Sequence, residues 1–240
     1  RRPATRLARA WCRLSESHYA LSLTRADLVE LPNVTPEDWE FVQLHERRAH
    51  GFWIWKPLVI EYFATALPHN TQFCYVDAGC EINEASNFLD RLNAYWCLAS
   101  QQPMAAFETK FSAVQYTKAD VYGALEMDPP ADLRQIEATC IFALSGEWSA
   151  DFCSDWLSLC RQDEYRLIDD SPSVWAQDPV MLQNRFDQSR FTIGDPQFFG
   201  GDGLTTRYFS QDNVDIDAPG YEGIVDPNLS QSFFDEQGNE

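Results

Sequence analysis

Lysine is almost missing from this 240-residue chain, which holds three copies, Lys56, Lys110 and Lys118. Basic residues total 18 against 37 acidic ones, a formal charge of −19. A surface that negative repels phosphate backbones and argues against nucleic acid as a partner. A small anion such as a nucleotide stays within reach, because it needs only one local positive or metal-loaded pocket. The four histidines (His18, His45, His50 and His69) show no metal-ligand spacing and read as surface or packing residues. No apolar run approaches the roughly 20 residues of a membrane-spanning helix, and no secretory leader is expected. The seven cysteines are an odd number without a Cys-x-x-Cys pair, and most lie in apolar runs. That pattern suits free thiols in a reducing, cytoplasmic setting. There is no Gly-x-Ser-x-Gly elbow, no Gly-x-x-x-x-Gly-Lys loop and no Gly-x-Gly-x-x-Gly turn. The chain opens at Arg1 in a helix-like segment and is expected to lack natural N-terminal sequence.

What is present is enough apolar material, 45% of the chain, for one sizeable core. Residues Arg2 to Leu14 carry apolar side chains on one face and arginines on the other, the pattern of an amphipathic helix. That basic face reads as solvated, with peripheral contact to an anionic membrane as its other reading. Tyr19 to Leu23 reads as a short strand. Thr35-Pro36 marks a helix start. Leu58 to Leu67 is helical, Phe73 to Val76 a buried strand, and Asn83 to Leu98 a helix. Met104 to Phe107 is a strand, followed by a short helix from Thr117 to Leu125 capped by Thr117. Ile136 to Leu144 is a strand and Ser149 to Arg161 a helix, with Phe152, Trp156 and Leu159 facing inward. Strands alternating with helices at this spacing predict an α/β fold with a mostly parallel central sheet flanked by helices. Residues 1–195 form the expected domain, and 196–240 an acidic, weakly structured extension.

Three segments carry candidate chemistry. In Trp53-Ile-Trp55-Lys56-Pro57, the proline suits a first helical turn and leaves Lys56 at the helix entrance, where phosphate binds readily. The same segment would also serve as a helix start whose tryptophans are core. In Tyr75-Val76-Asp77-Ala78-Gly79, a carboxylate ends a strand at the sheet edge, where it could hold a divalent ion on a diphosphate. It could equally close a turn. In Asn184-Arg185-Phe186-Asp187-Gln188-Ser189, Asp187 could cap a helix, pair with Arg185 or act on a substrate hydroxyl. Asp169-Asp170, followed by Ser171-Pro172, reads first as a solvated loop and second as a pocket lining.

In this order the three segments resemble a family of bacterial and viral glycosyltransferase-like proteins. That family has the A-type (GT-A-like) nucleotide-diphospho-sugar transferase fold. The resemblance spans roughly Ala20 to Ile193 and includes Thr117-Lys118-Ala119-Asp120 and the unit from Ile136 to Leu157. It implies transfer of a sugar from a nucleotide-sugar donor to a glycan or lipid-linked acceptor. Trp55, Lys56, Asp77, Ala78, Gly79 and Gln188 are then donor-binding. Asp77 holds a divalent cation (manganese or magnesium), and Asp187 and Arg185 are catalytic. The family's second metal acid is Gly79 here, and its late histidine is Asn184. Competing readings are a catalytically weakened nucleotide-sugar or glycan-binding module and a sugar nucleotidyltransferase.

Overall fold

The computed structural model describes residues 19–78, 80, 88–101, 103–129, 133–185, 189, 192 and 209–210. The helix expected at Arg2 to Leu14 and all of the C-terminal extension except Phe209–Ser210 lie outside them. Thr24 and Asp27 form a capping box that starts α1 (Arg25–Val29). Thr35 caps α2 (Pro36–Leu44), accepting from the Asp38 N–H, with Pro36 in the first turn as the sequence predicts. Then come α3 (Trp55–Ala66), β1 (Gln72–Val76), α4 (Phe88–Gln101) and β2 (Met104–Ser112). A 3₁₀ turn and the short α5 (Ala119–Ala124) lead to β3 (Arg134–Leu144), α6 (Glu147–Arg161) and β4 (Phe209–Ser210).

Two local expectations fail. Tyr19 to Leu23 is irregular, with Tyr19 and Leu21 92% and 74% exposed, so no apolar burial rewards strand formation there. Thr117 does not cap α5, whose N-cap is Lys118. The Thr117 side chain is buried instead and its hydroxyl accepts from Gln135 Nε2 at 3.3 Å.

The larger correction concerns the sheet. Its order is β1-β3-β2-β4, with β3 antiparallel to both β1 and β2, and only β2 and β4 pairing parallel. The mostly parallel sheet of the GT-A-like fold is therefore not the architecture of this chain. The physical reason lies in β3. Because β1 and β2 are both antiparallel to it, they run in the same direction as each other, as a strand–helix–strand unit should. The later strand enters between them, and strand–helix alternation carries no trace of an insertion from further along the chain.

Helices cover the sheet on both faces. On one, Leu58 and Ile60 of α3 and Phe152, Trp156 and Leu157 of α6 pack on Met104, Ala106, Ile136, Ile141 and Ala143. On the other, Leu92, Tyr95 and Ala99 of α4 pack on Ala105 and Phe142. The first layer is locked by a buried carboxylate. Asp38, fully buried, receives Arg161 Nε at 3.0 Å, Arg161 Nη2 at 2.6 Å, the Tyr165 hydroxyl at 2.9 Å and the Thr35 N–H at 2.9 Å. Burial alone would raise this carboxyl, but hydrogen bonds from Arg161 and Thr35, the Arg161 charge and Tyr165 hold it below the ordinary carboxylate value. A depressed native pKa gives stability that is complete above the unfolded value of about 3.9 and is lost as pH falls through the native one. Asp38→Ala is expected to cost about 3 kcal/mol in urea unfolding at neutral pH, because it strands a guanidinium and a phenol. The gap to the parent protein should close under acid; a constant gap would mean the charge contributes nothing.

Candidate functional site

The site forms where the entrance of α3 meets the end of β1. Before α3, Ala49, His50, Gly51, Phe52 and Trp53 all have positive φ (48°, 52°, 85°, 52° and 62°), a left-handed turn. Such backbone costs on the order of 1–2 kcal/mol per non-glycine residue, so the surroundings must impose it. Phe52 and Ile54 do so by being buried in the core. At Gly51 an added Cβ would lie 3.0 Å from Val42 Cα, so the left-handed position and the close approach both require glycine. The turn delivers Trp53 and Trp55 to the neighbourhood of the Lys56 ammonium. The Lys56 ammonium lies 5.7 Å from the Trp53 ring centroid and 6.0 Å from that of Trp55. Trp55 is itself fixed by its indole N–H, which donates to the Ala49 carbonyl at 3.2 Å.

Lys56 is 5% exposed, and its Nζ lies 3.1 Å from Asp77 Oδ2. The Tyr75 hydroxyl donates to the other oxygen, Oδ1. The Asp77 N–H donates to the Thr139 carbonyl at 2.9 Å, which fixes the carboxylate beside β3. At this point β3 bulges: β2 steps from Ala106 to Phe107 while β3 steps from Ile141 to Glu137. Ile136 and Ala138 consequently share a core with Ile141 and Ala143, which strict strand alternation would forbid. The bulge brings Glu137 into electrostatic contact with the pair. Burial pushes the Glu137 carboxyl up. A hydrogen bond with Thr139 and the charges of Lys56 and Arg185 partly offset this, while Asp77 adds to it. The Arg185 guanidinium lies 5.1 and 5.5 Å from the centroids of Tyr116 and Phe111, which pack edge to face on each other.

Of the residues singled out from sequence, Trp55, Lys56 and Asp77 are brought together, and Arg185 is linked to them through Glu137. Ala78 is exposed on the turn after Asp77. Gly79, Asp187 and Gln188 lie outside the described residues. The anion site expected from the helix end itself is weaker than the sequence suggests. Pro57 has no N–H, and the Lys56 N–H already donates to the Trp53 carbonyl at 2.9 Å. The positive charge here is the side chain's. Glu137 was not visible in the sequence reading, although one acid inside the apolar run Ile136-Glu-Ala-Thr-Cys-Ile141 was a signal for it.

Six described cysteines are free, three of them near this site. Burial, followed by the charge of Asp77 and the neighbouring Cys140 and Glu137, pushes the Cys80 thiol up to about 12, so it is a poor nucleophile. Among the described residues no group of three or more His, Cys, Asp or Glu side chains converges as a metal site. The described donors also fit a divalent ion poorly, since an ammonium already stands on Asp77 Oδ2 and a phenol on Oδ1. No protein-family model matches the chain, and neither a curated protein nor a solved structure matches it.

A raised native pKa at Glu137 means that its stability contribution is complete below the unfolded value of about 4.3 and is lost as pH rises through the native one. Glu137→Gln should therefore unfold about 2–4 °C higher than the parent near pH 7, equivalent to about 1 kcal/mol. The two melting curves should converge near pH 4. A variant that melts lower at pH 7 would show the charged carboxylate to be well solvated.

Proposed function

We propose that the chain transfers a sugar from a nucleotide-diphosphate donor to a hydroxyl acceptor. The observation that carries this reading is the convergence of Lys56 and Asp77, 3.1 Å apart, in an aromatic setting at the end of β1. The reading rests on these residues and not on any fold likeness.

Departure of a nucleoside diphosphate builds negative charge on phosphate oxygens, and a fixed cation in a poorly hydrated site lowers that cost. Lys56 supplies the cation. Asp77 keeps the ammonium in place before the donor arrives, and its oxygens suit sugar or ribose hydroxyls once the donor is bound. Trp53 and Trp55 exclude water from one side of Lys56. Glu137, whose carboxyl is raised by burial above its ordinary value, couples to both partners, which suits it to take the acceptor's proton. Arg185 moderates its charge.

A second reading, a nucleotide-sugar-binding module without turnover, is favoured by one fact: the Lys56 charge is already neutralised by Asp77. One experiment separates them. With a panel of nucleotide-diphosphate sugars, transfer or donor hydrolysis should fall at least about 100-fold in Lys56→Met and in Asp77→Asn. Undiminished turnover in both variants rejects the assignment, and donor binding with no turnover in the parent supports the module. With Lys56 in the place of a metal, a chelator should leave the parent's rate unchanged. Loss of rate on chelation, restored by manganese, would give the diphosphate to a divalent ion.

A further inference from the structure

The segment from Asp169 to Gln177, whose first residues Asp169-Asp170-Ser171-Pro172 read in the sequence first as a solvated loop and second as a pocket lining, is held by two buried charges at the entrance of α5. Lys118, 3% exposed, donates from Nζ to the Arg166 carbonyl at 2.6 Å, Ser171 Oγ at 2.9 Å and Asp169 Oδ1 at 3.3 Å. Asp120, 7% exposed, accepts the N–H groups of Val174 at 2.8 Å and Trp175 at 2.9 Å, and the Ser173 hydroxyl at 2.9 Å. Gln177 accepts the Ala119 N–H at 2.9 Å and donates to the Thr117 carbonyl at 3.3 Å.

This scaffold presents Trp175. A Cβ built on Gly123 would meet three indole atoms at 2.6, 2.8 and 2.9 Å, so the ring lies flat on the glycine backbone. The indole nevertheless belongs to a residue that is 61% exposed. Beside it opens a cleft of about 450 Å³ lined by Lys118, Asp169, Asp170, Ser173, Gln177 and Asn184 among others. Asn184 Nδ2 is buried and has no hydrogen-bond partner among the described residues. The charged lining is nearly balanced, because Lys118 faces Asp169 at 3.3 Å and Asp170 is paired with Arg48. A polyanion gains nothing there. Pro172 and Met181 add apolar side chains to the lining, and Val174, Val180 and Leu182, in the stretch 174–182 but outside that lining, stand 73%, 53% and 67% exposed.

A flat indole beside fixed carboxylates, amides and hydroxyls is the chemistry that holds a sugar ring. The ring's C–H face packs on the aromatic while its hydroxyls pair with the polar side chains. Exposed aliphatic side chains suit an apolar aglycone. We propose that this cleft is a saccharide site with the sugar stacked on Trp175, and that it takes glycosides carrying an apolar aglycone. Its role as the acceptor site rests on the transfer reading above; the binding itself does not. Asn184 lines the cleft, and the next residue, Arg185, acts electrostatically on Glu137.

Calorimetry with octyl glycosides of glucose, galactose, mannose and N-acetylglucosamine, below their micelle concentrations and without nucleotide, tests this. At least one should bind the parent protein in the millimolar range or tighter, and more tightly than the corresponding free sugar. Trp175→Ala should weaken it about tenfold or more, Trp175→Phe should recover part of the loss, and each variant should still unfold in a single cooperative transition, with a small drop in midpoint from the lost contact with Gly123. Absence of binding by all four, or equal binding by Trp175→Ala, overturns the proposal. Since no donor is present, failure of the donor assay and failure of this one are independent.

Discussion

A lysine ammonium sealed among tryptophans needs a counter-charge, and the folded chain supplies one from a different element. Removing an ammonium from water costs several kcal/mol, which only a well-placed carboxylate and hydrogen bonds offset. Asp77 provides this for Lys56, and it thereby ties the entrance of α3 to the end of β1. Everything else at the site serves that contact. Tyr75 holds the second carboxylate oxygen, Thr139 holds the backbone of Asp77, and Trp53 and Trp55 exclude water.

Two departures from regular backbone flank the pair. The left-handed turn from Ala49 to Trp53 sets the directions of both tryptophans, and the β3 bulge aims Glu137 toward the charges. Strain and bulges of this sort persist where the surrounding core over-determines them, and they concentrate at functional positions. Here the core that imposes them is the layer closed by Asp38 and Arg161, elements separated by 123 residues. Stability built around Asp38 thus holds an unfavourable backbone close by, where Val42, one helical turn along α2, meets Gly51.

What the sequence made legible was local. The entrance of α3 at Trp-Lys-Pro, the strand ending on Asp77, the cap at Thr35 and the inward face of α6 all follow from short-range signals of periodicity and capping. Strand order was not legible, because β3 enters between two strands that were already in the right mutual direction. Thr117 looked like a cap because its neighbours fit the pattern, yet burial against Gln135 took its hydroxyl elsewhere. Glu137 was hidden by a bulge that exists only once β2 and β3 pair. Trp175 was hidden in a stretch of serine and proline, since its platform, Gly123, lies in another element.

The scarcity of lysine makes the central claim directly observable. In protein labelled with ¹⁵N only at lysine Nζ, the three ammonium groups (Lys56, Lys110 and Lys118) are few enough to assign by substitution. Titration with a nucleoside diphosphate is expected to shift the Lys56 signal and leave that of Lys118 in place. A Lys56 signal that stays fixed while the nucleotide binds would contradict the account.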